Sequence, residues 1–293
     1  LPANGENISP TFCVAMLKNG DTIRLEGKLE SFLPAIKKAS LAWVNVQADN
    51  LEGEGIKIAS VLGFKPSIVQ ELVSQRFSGY DDHTTELGLL LPAVRVTKLE
   101  VEINKLIVLM KNNVIVTIHG KHVTRLVKFA RYAESFFKRI PKKSSSIDKM
   151  SLVLIRIIDE NNERNFDGIR VIEEQGEDIS KYLINPEFPT KNLGGDIYKM
   201  KHALISYLEA LWATMNVVYY LRYGDAELVT DNPAILRKVI ILSTDLTTQI
   251  SISEQMSTVL ASGLEVLQSI YNNQLTVLNN RLASVAVWIA ILG

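Results

Sequence analysis

The chain has 293 residues with 32 basic and 32 acidic side chains, so its formal net charge is zero. Apolar residues make up 47% of the sequence, which is typical of a folded protein with a core. A neutral chain gives no bulk electrostatic reason to bind nucleic acid. The single cysteine, Cys13, excludes an internal disulfide framework and a cysteine-based zinc site.

The first 140 residues mix strand-like and helix-like patterns. Apolar runs flank residues 19–21 (NGD), which predicts a hairpin, and residues 41–48 (LAWVNVQA) have the composition of a buried strand. Residues 78–82 (SGYDD) have the composition of a loop, and residues 121–140 form a basic amphipathic pattern typical of a helix packed on a sheet. Strands and helices interleaved in this way predict one sheet covered by helices.

After residue 141 the sequence contains helical patterns only. One helix is predicted from about residue 144 to residue 183, and another over residues 196–223. No proline follows Pro233, which predicts a single last helix of about 60 residues. The fold class is therefore α+β. The predicted regions are 1–140 (mixed domain), 141–232 (long antiparallel helices), 233–281 (stalk helix) and 282–293 (start of a transmembrane helix).

The stalk helix carries an apolar stripe with a mean spacing of about 3.6 residues. Its other surface, between Glu265 and Arg281, holds uncharged amide and hydroxyl side chains. A helix this long with such a pattern is not stable alone, so we expect copies of the chain to bury the stripe in a parallel homo-oligomeric bundle. The stripe consists of Met256, Leu260, Leu264, Leu267, Tyr271, Leu275, Leu278, Leu282 and Val285.

Residues 282–293 (LASVAVWIAILG) carry no charge. A helix that crosses a membrane needs about 20 such residues, so this run is either a buried terminal helix or the first part of a transmembrane helix. Because the stalk runs straight into it, we favour the start of a transmembrane helix. The alternative is a soluble helical oligomeric scaffold whose last residues lie in its own core.

Several segments, in order along the chain, resemble the CorA-type magnesium and cobalt channels. Residues 41–46 (LAWVNV) resemble a family strand of the type TWINI, and residues 62–72 (LGFKPSIVQEL) resemble the helix entry FGIHPLxxEDI. Residues 112–119 (NNVIVTIH) resemble the family strand that follows a K-N turn. Tyr271 and Asn280 share the spacing of a tyrosine and a pore-entrance asparagine in the family. The order of the predicted elements also matches that family over nearly the whole chain.

The resemblance implies an N-terminal α/β/α sandwich followed by long helices. It implies a passive divalent-cation channel for Mg²⁺, with Co²⁺ and Ni²⁺ as further ions, gated by intracellular metal. The expected assembly is a homo-oligomer, and the resemblance implies a pentamer. It would lie in the plasma membrane, with most of this chain on the cytoplasmic side. The Gly-Met-Asn signature of the family does not occur in these residues, so a zinc-transporting relative stays an alternative.

Catalysis is not expected, because no nucleophile–base pair or cofactor motif occurs in the sequence. Nucleic acid is not an expected partner. The histidines His83, His119, His122 and His202 are too scattered to predict a typical catalytic zinc site.

The resemblance also implies candidate site residues. Glu71 matches an acid of the family's regulatory magnesium site between subunits, and Asp245 matches the second acid on the long helix in an ungapped register. Asp81 and Asp82 are weaker metal candidates, and Asn280 matches the pore entrance. One or two carboxylates suffice for hydrated Mg²⁺, because this ion gives up water reluctantly. The alternative for each acid is a solvated surface charge, and for Asn280 polar packing between helices.

Overall fold

The computed structural model of the protein describes residues 9–184, 193–224 and 226–292. They form one mixed sheet followed by long helices, which confirms the α+β class. The strands are β1 (Phe12–Leu17), β2 (Thr22–Glu26), β3 (Ala39–Gln47), β4 (Gly79–Asp82), β5 (Glu86–Thr97), β6 (Glu100–Lys111) and β7 (Val114–His119). The helices are α1 (Leu33–Lys38), α2 (Gly53–Val61), α3 (Pro66–Ser74), α4 (Val127–Arg139), α5 (Ser146–Glu163), α6 (Asn165–Ile184), α7 (Leu193–Tyr223) and α8 (Pro233–Leu292).

The seven strands form a sheet with the order β2-β1-β3-β7-β6-β5-β4. β3 and β7 pair in parallel, and every other neighbouring pair is antiparallel. β4 is therefore an edge strand, paired with β5 so that Asp81 lies opposite Gly88. This edge of the sheet carries the candidate site described below.

Helices cover both faces of the sheet, as the α/β/α sandwich requires. α2 and α3 cover one face over a core that includes Ile68, Leu72 and Val116. The later helices cover the other face over a core that contains Trp43, whose ring stacks on that of Phe129 with 4.6 Å between the centroids. Apolar residues alternate between the two cores along the central strands, which is the pattern of a sheet buried on both faces.

Two of the predicted local structures are confirmed, and others are wrong or shifted. Residues 19–21 turn the chain between β1 and β2, and the strand predicted over residues 41–48 is β3. The loop predicted over residues 78–82 is wrong, because residues 79–82 form β4. This strand has no apolar alternation, and it forms because its backbone pairs with β5. The helix predicted from residue 121 begins only at Val127.

The single helix predicted over residues 144–183 is also wrong, because it breaks at Arg164 into α5 and α6. The guanidinium of Arg125 is buried at this point and donates to the backbone carbonyl of Asn161 and to the side-chain oxygen of Asn165. In a continuous helix that carbonyl accepts from the amide four residues on. Arg125 competes for this carbonyl, so a contact from a distant segment favours the end of α5 near this point.

The last helix, α8, is continuous over 60 residues, as predicted. Its first half packs against α5, α6 and α7, and Leu242 and Leu246 are buried there. Beyond Leu267, none of the residues that the structure describes covers the apolar stripe. Its exposed members there are Tyr271, Leu275, Leu278, Leu282 and Val285, each about half exposed or more. Within the described residues, no helix has both the length and the apolar character that crossing a membrane requires.

Candidate functional site

Three side chains of the types that ligate metals converge at the β4 edge of the sheet. Glu71 projects from α3, Asp81 lies on β4, and His83 follows directly after that strand. One donor atom from each lies within 4.8 Å of the other two. His83 Nε2 is 3.0 Å from Asp81 Oδ2. The side chain of Asp81 is 19% exposed and that of His83 is 29% exposed, whereas Glu71 is open to solvent.

Two of these side chains lie together because successive side chains of a strand point to opposite faces of the sheet. Asp81 and His83 are two residues apart, so they point to the same side of β4. Gly79 shares this side, and a Cβ on it would lie 2.9 Å from the Leu72 side chain of α3. A Cβ on Gly88, opposite Asp81, would lie 2.8 Å from the same leucine. The two glycines therefore let α3 approach the strands closely, and this brings Glu71 to the site.

A tight turn between β4 and β5 fixes the position of His83. The backbone amide of His83 donates to the carbonyl of Glu86 at 2.9 Å. Thr84 adopts a positive φ of 66°, and the Asp82 carboxylate accepts from its amide at 2.9 Å. An aspartate that bonds to the backbone two residues on is a common turn device. Asp82 therefore stabilises the turn, and it lies on the other side of the strand from Asp81.

A cavity of about 550 Å³ adjoins the cluster. Glu71 and Asp81 line one side of it, and Asn216 and Tyr220 of α7 line another. The ring of Tyr220 stacks on that of Tyr80 from β4, with 5.1 Å between the centroids. The cavity is open and partly polar, so water has access to the carboxylates.

A buried ion pair anchors the start of α3 beneath the site. Glu86 is 2% exposed, and its carboxylate accepts from Lys111 Nζ at 2.6 Å and from the Lys65 amide at 2.9 Å. Lys111 Nζ also donates to the Gly63 carbonyl at 2.6 Å. Burial alone raises the pKa of Glu86, but the Lys111 and Lys65 hydrogen bonds and positive charges outweigh it and lower the pKa. Because Lys65 directly precedes α3, this pair holds the helix that carries Glu71.

Asp245 lies elsewhere in the protomer, on the half-buried side of α8. Its negative charge contributes to raising the pKa of Asp159 on α5, after burial and the charges of Glu163 and Glu160, while Arg156 acts in the opposite direction. Asp245 therefore belongs to an acidic surface between α5 and α8. It is not among the residues that converge with Glu71 in the described part of the chain.

Asn280 lies on the exposed distal part of α8. Its backbone carbonyl accepts from the Ser284 hydroxyl at 2.9 Å, which is an ordinary contact within a helix. Its side chain is exposed in the protomer. A role at a pore entrance stays a prediction.

His83 is not among the ligands predicted from the sequence. The four histidines are scattered along the chain, but in the structure His83 lies close to two of the predicted acids. The signal was present in the spacing of Asp81 and His83, which place two ligands on one side of a strand. It was hidden because residues 78–82 were interpreted as a loop.

The sequence profile of the family described as "CorA-like Mg2+ transporter protein" matches residues 38–292, which is most of the chain. Among curated proteins, none matches the chain.

Solved structures share the fold at low sequence identity. The complete CorA magnesium transporter from Methanocaldococcus jannaschii is 15% identical with a TM-score of 0.72, over 92% of this chain and 80% of that one. The soluble domain of the same CorA is 16% identical with a TM-score of 0.66, and the match covers 89% of this chain and 98% of that one. The ZntB cytoplasmic domain from Vibrio parahaemolyticus RIMD 2210633 is 12% identical with a TM-score of 0.65, and the match covers 91% of this chain and 100% of that one.

Proposed function

The chain belongs to the CorA-like Mg²⁺ transporter family, and from this premise we propose that it is the cytosolic and stalk part of a homo-oligomeric channel that passes Mg²⁺ without covalent chemistry. The proposed assembly is a pentamer in the plasma membrane. Co²⁺ and Ni²⁺ are proposed as further ions.

The observation that carries this proposal is the division of α8. Its first half is a packed element of the domain, whereas its second half leaves the domain with its apolar stripe exposed. Exposed leucines at helical spacing are costly in water and favourable between copies of the same helix. We therefore propose that the second half of α8 joins the folded domain to a bundle of identical helices. The absence of charge in residues 282–293 supports a continuation of this helix into the membrane.

Glu71 and Asp245 of neighbouring subunits are the proposed ligands of a regulatory Mg²⁺. The donor set fits the ion, because Glu71 is open to solvent and Asp245 lies beside the partly buried Asp159 in an acidic surface. Mg²⁺ accepts a few carboxylates while it keeps most of its water. A bound ion would offset the repulsion among these acids and favour the closed ring, and its loss would release that ring.

Asn280 is proposed to line the pore entrance of the assembled channel. Its amide oxygen is neutral, so it can hydrogen-bond to the water shell of a divalent ion without trapping the ion. The surface between Glu265 and Arg281 is uncharged and rich in amides, which supports this role.

Millimolar Mg²⁺ is expected to raise the thermal midpoint of the protein. An ion concentration of ten times the dissociation constant contributes about 1.4 kcal/mol, which corresponds to roughly 2–3 °C for a chain of this size. Asp245→Asn should lose most of this shift, because it removes one of the proposed ligands. Differential scanning fluorimetry across a Mg²⁺ series, with resistance to protease as a second readout, measures it.

The matched control is Glu254→Gln, which removes an exposed acid from the same helix. This variant should keep the full Mg²⁺ shift. If Asp245→Asn and Glu254→Gln respond to Mg²⁺ as strongly as the unmodified protein, Asp245 is not a ligand of the regulatory ion.

A further inference from the structure

We propose that Glu71, Asp81 and His83 of a single protomer form a binding site for a divalent transition-metal cation of the Zn²⁺, Co²⁺ and Ni²⁺ class. This site differs from the proposed Mg²⁺ site because all three ligands come from one chain and one of them is an imidazole. Glu71 is shared by the two sites, whereas Asp81 and His83 belong to this site alone.

The donor atoms already lie close to the spacing that a metal requires. Two ligands bound at about 2.0–2.1 Å in a tetrahedral centre are about 3.3 Å apart. His83 Nε2 and Asp81 Oδ2 are 3.0 Å apart, so one cation can bridge them with little movement. The full set spans no more than 4.8 Å, and the solvent-exposed Glu71 side chain can close the remaining gap by a rotamer change.

The chemistry of the donors selects the class of ion. Imidazole suits zinc, copper, iron and nickel, whereas carboxylates and water alone suit Mg²⁺ and Ca²⁺. Three protein ligands leave one position of a tetrahedral centre for water, as in open zinc sites. The adjoining cavity of about 550 Å³ reaches Glu71 and Asp81 and leaves room for that water.

The backbone holds two of the ligands in place before a metal arrives. Asp81 is fixed by the pairing of β4 with β5, and His83 by its amide hydrogen bond to the Glu86 carbonyl. The 2.9 Å bond from the Thr84 amide to Asp82 closes the same turn. Little conformational freedom is therefore lost when Asp81 and His83 bind an ion, and this lowers the cost of binding.

Cobalt titration of the protein, prepared without a polyhistidine tag, tests the site. Co²⁺ in a four-coordinate protein site absorbs visible light much more strongly than hydrated Co²⁺, so the titration gives both stoichiometry and affinity. We expect one Co²⁺ per chain, displaced by Zn²⁺, and more than about a tenfold weaker affinity in His83→Gln and in Asp81→Asn. His202→Gln is the matched control because His202 is exposed on α7 away from the cluster, and its affinity should not change.

Two results would overturn the site. The first is a folded protein that binds no Co²⁺ in this titration. The second is an affinity in His83→Gln equal to that in His202→Gln, with circular dichroism showing that both are folded. The Mg²⁺ thermal shift, measured on the same His83→Gln protein, should be unchanged, so the failure of this site and the failure of the proposed Mg²⁺ regulation give different results.

Discussion

Lys111→Met is expected to lower the free energy of unfolding by about 3–5 kcal/mol. The Glu86 side chain is only 2% exposed, and the substitution removes its charged partner. It also removes the donor to the Gly63 carbonyl. An unpaired buried charge costs far more than the ion pair contributes, which makes this the largest single effect that we expect in the α/β domain. Denaturant unfolding at neutral pH measures it.

The pH dependence of this effect has a definite sign. The folded-state pKa of Glu86 is lowered, so its pairing stabilises the protein above the ordinary glutamate pKa of about 4.3 and this stability is lost as the pH falls through the folded-state value. In Lys111→Met no ammonium group at this position opposes the rise in pKa that burial causes, so the Glu86 carboxyl takes up a proton at higher pH. The stability gap between the two proteins should therefore be largest at neutral pH. It should begin to narrow as the variant's carboxyl takes up its proton, and it should go on narrowing until the pH reaches the lowered folded-state pKa of Glu86 in the unmodified protein.

The double variant Glu86→Gln/Lys111→Met is the control for this prediction. It removes both charges, so it should recover a large part of the stability lost in Lys111→Met. A double variant as unstable as Lys111→Met, with no narrowing of the gap at low pH, would mean that lost packing rather than the orphaned carboxylate sets the cost.

Leu278→Glu is expected to dissociate the assembled protein. Leu278 is 54% exposed in the protomer and lies on the apolar stripe beyond the packed half of α8. Each copy would lose about 2 kcal/mol of apolar burial, and the new carboxylates would repel one another across the bundle. Native mass spectrometry of the detergent-solubilised protein should show at least a tenfold lower fraction of the oligomer.

Leu278→Met is the matched control, because it keeps an apolar side chain of nearly the same volume at the same position. It should assemble as the unmodified protein does. Equal assembly of Leu278→Glu and Leu278→Met would show that the stripe does not face a neighbouring copy.

Periodicity made the broad plan of the chain predictable from its residues. The hairpin at residues 19–21, strand β3 and the unbroken α8 all follow local rules of alternation, helical spacing and absence of proline. The choice of an α/β/α sandwich came from the resemblance to the CorA-type channels, and the two cores on opposite faces of the sheet confirm it.

The errors share one physical cause, which is that distant contacts determined the local structure. β4 (GYDD) is a strand because it pairs with β5, although its own residues favour a turn. α5 ends close to the point where Arg125, which comes well before it in sequence, donates to the backbone carbonyl of Asn161. His83 joins Glu71 only because Gly79 and Gly88 let α3 lie close to the strands. No single-sequence pattern contains these contacts.

Mg²⁺ flux into liposomes is the direct test of the proposed channel. The full-length gene product, reconstituted in vesicles that enclose a magnesium-sensitive dye, should admit Mg²⁺ down its gradient without a nucleotide, and Leu278→Glu should abolish that entry. Vesicles that contain the inserted protein and take up Zn²⁺ but no Mg²⁺ would contradict the account and favour the zinc-transporting alternative. Vesicles that take up neither ion would contradict the channel proposal itself.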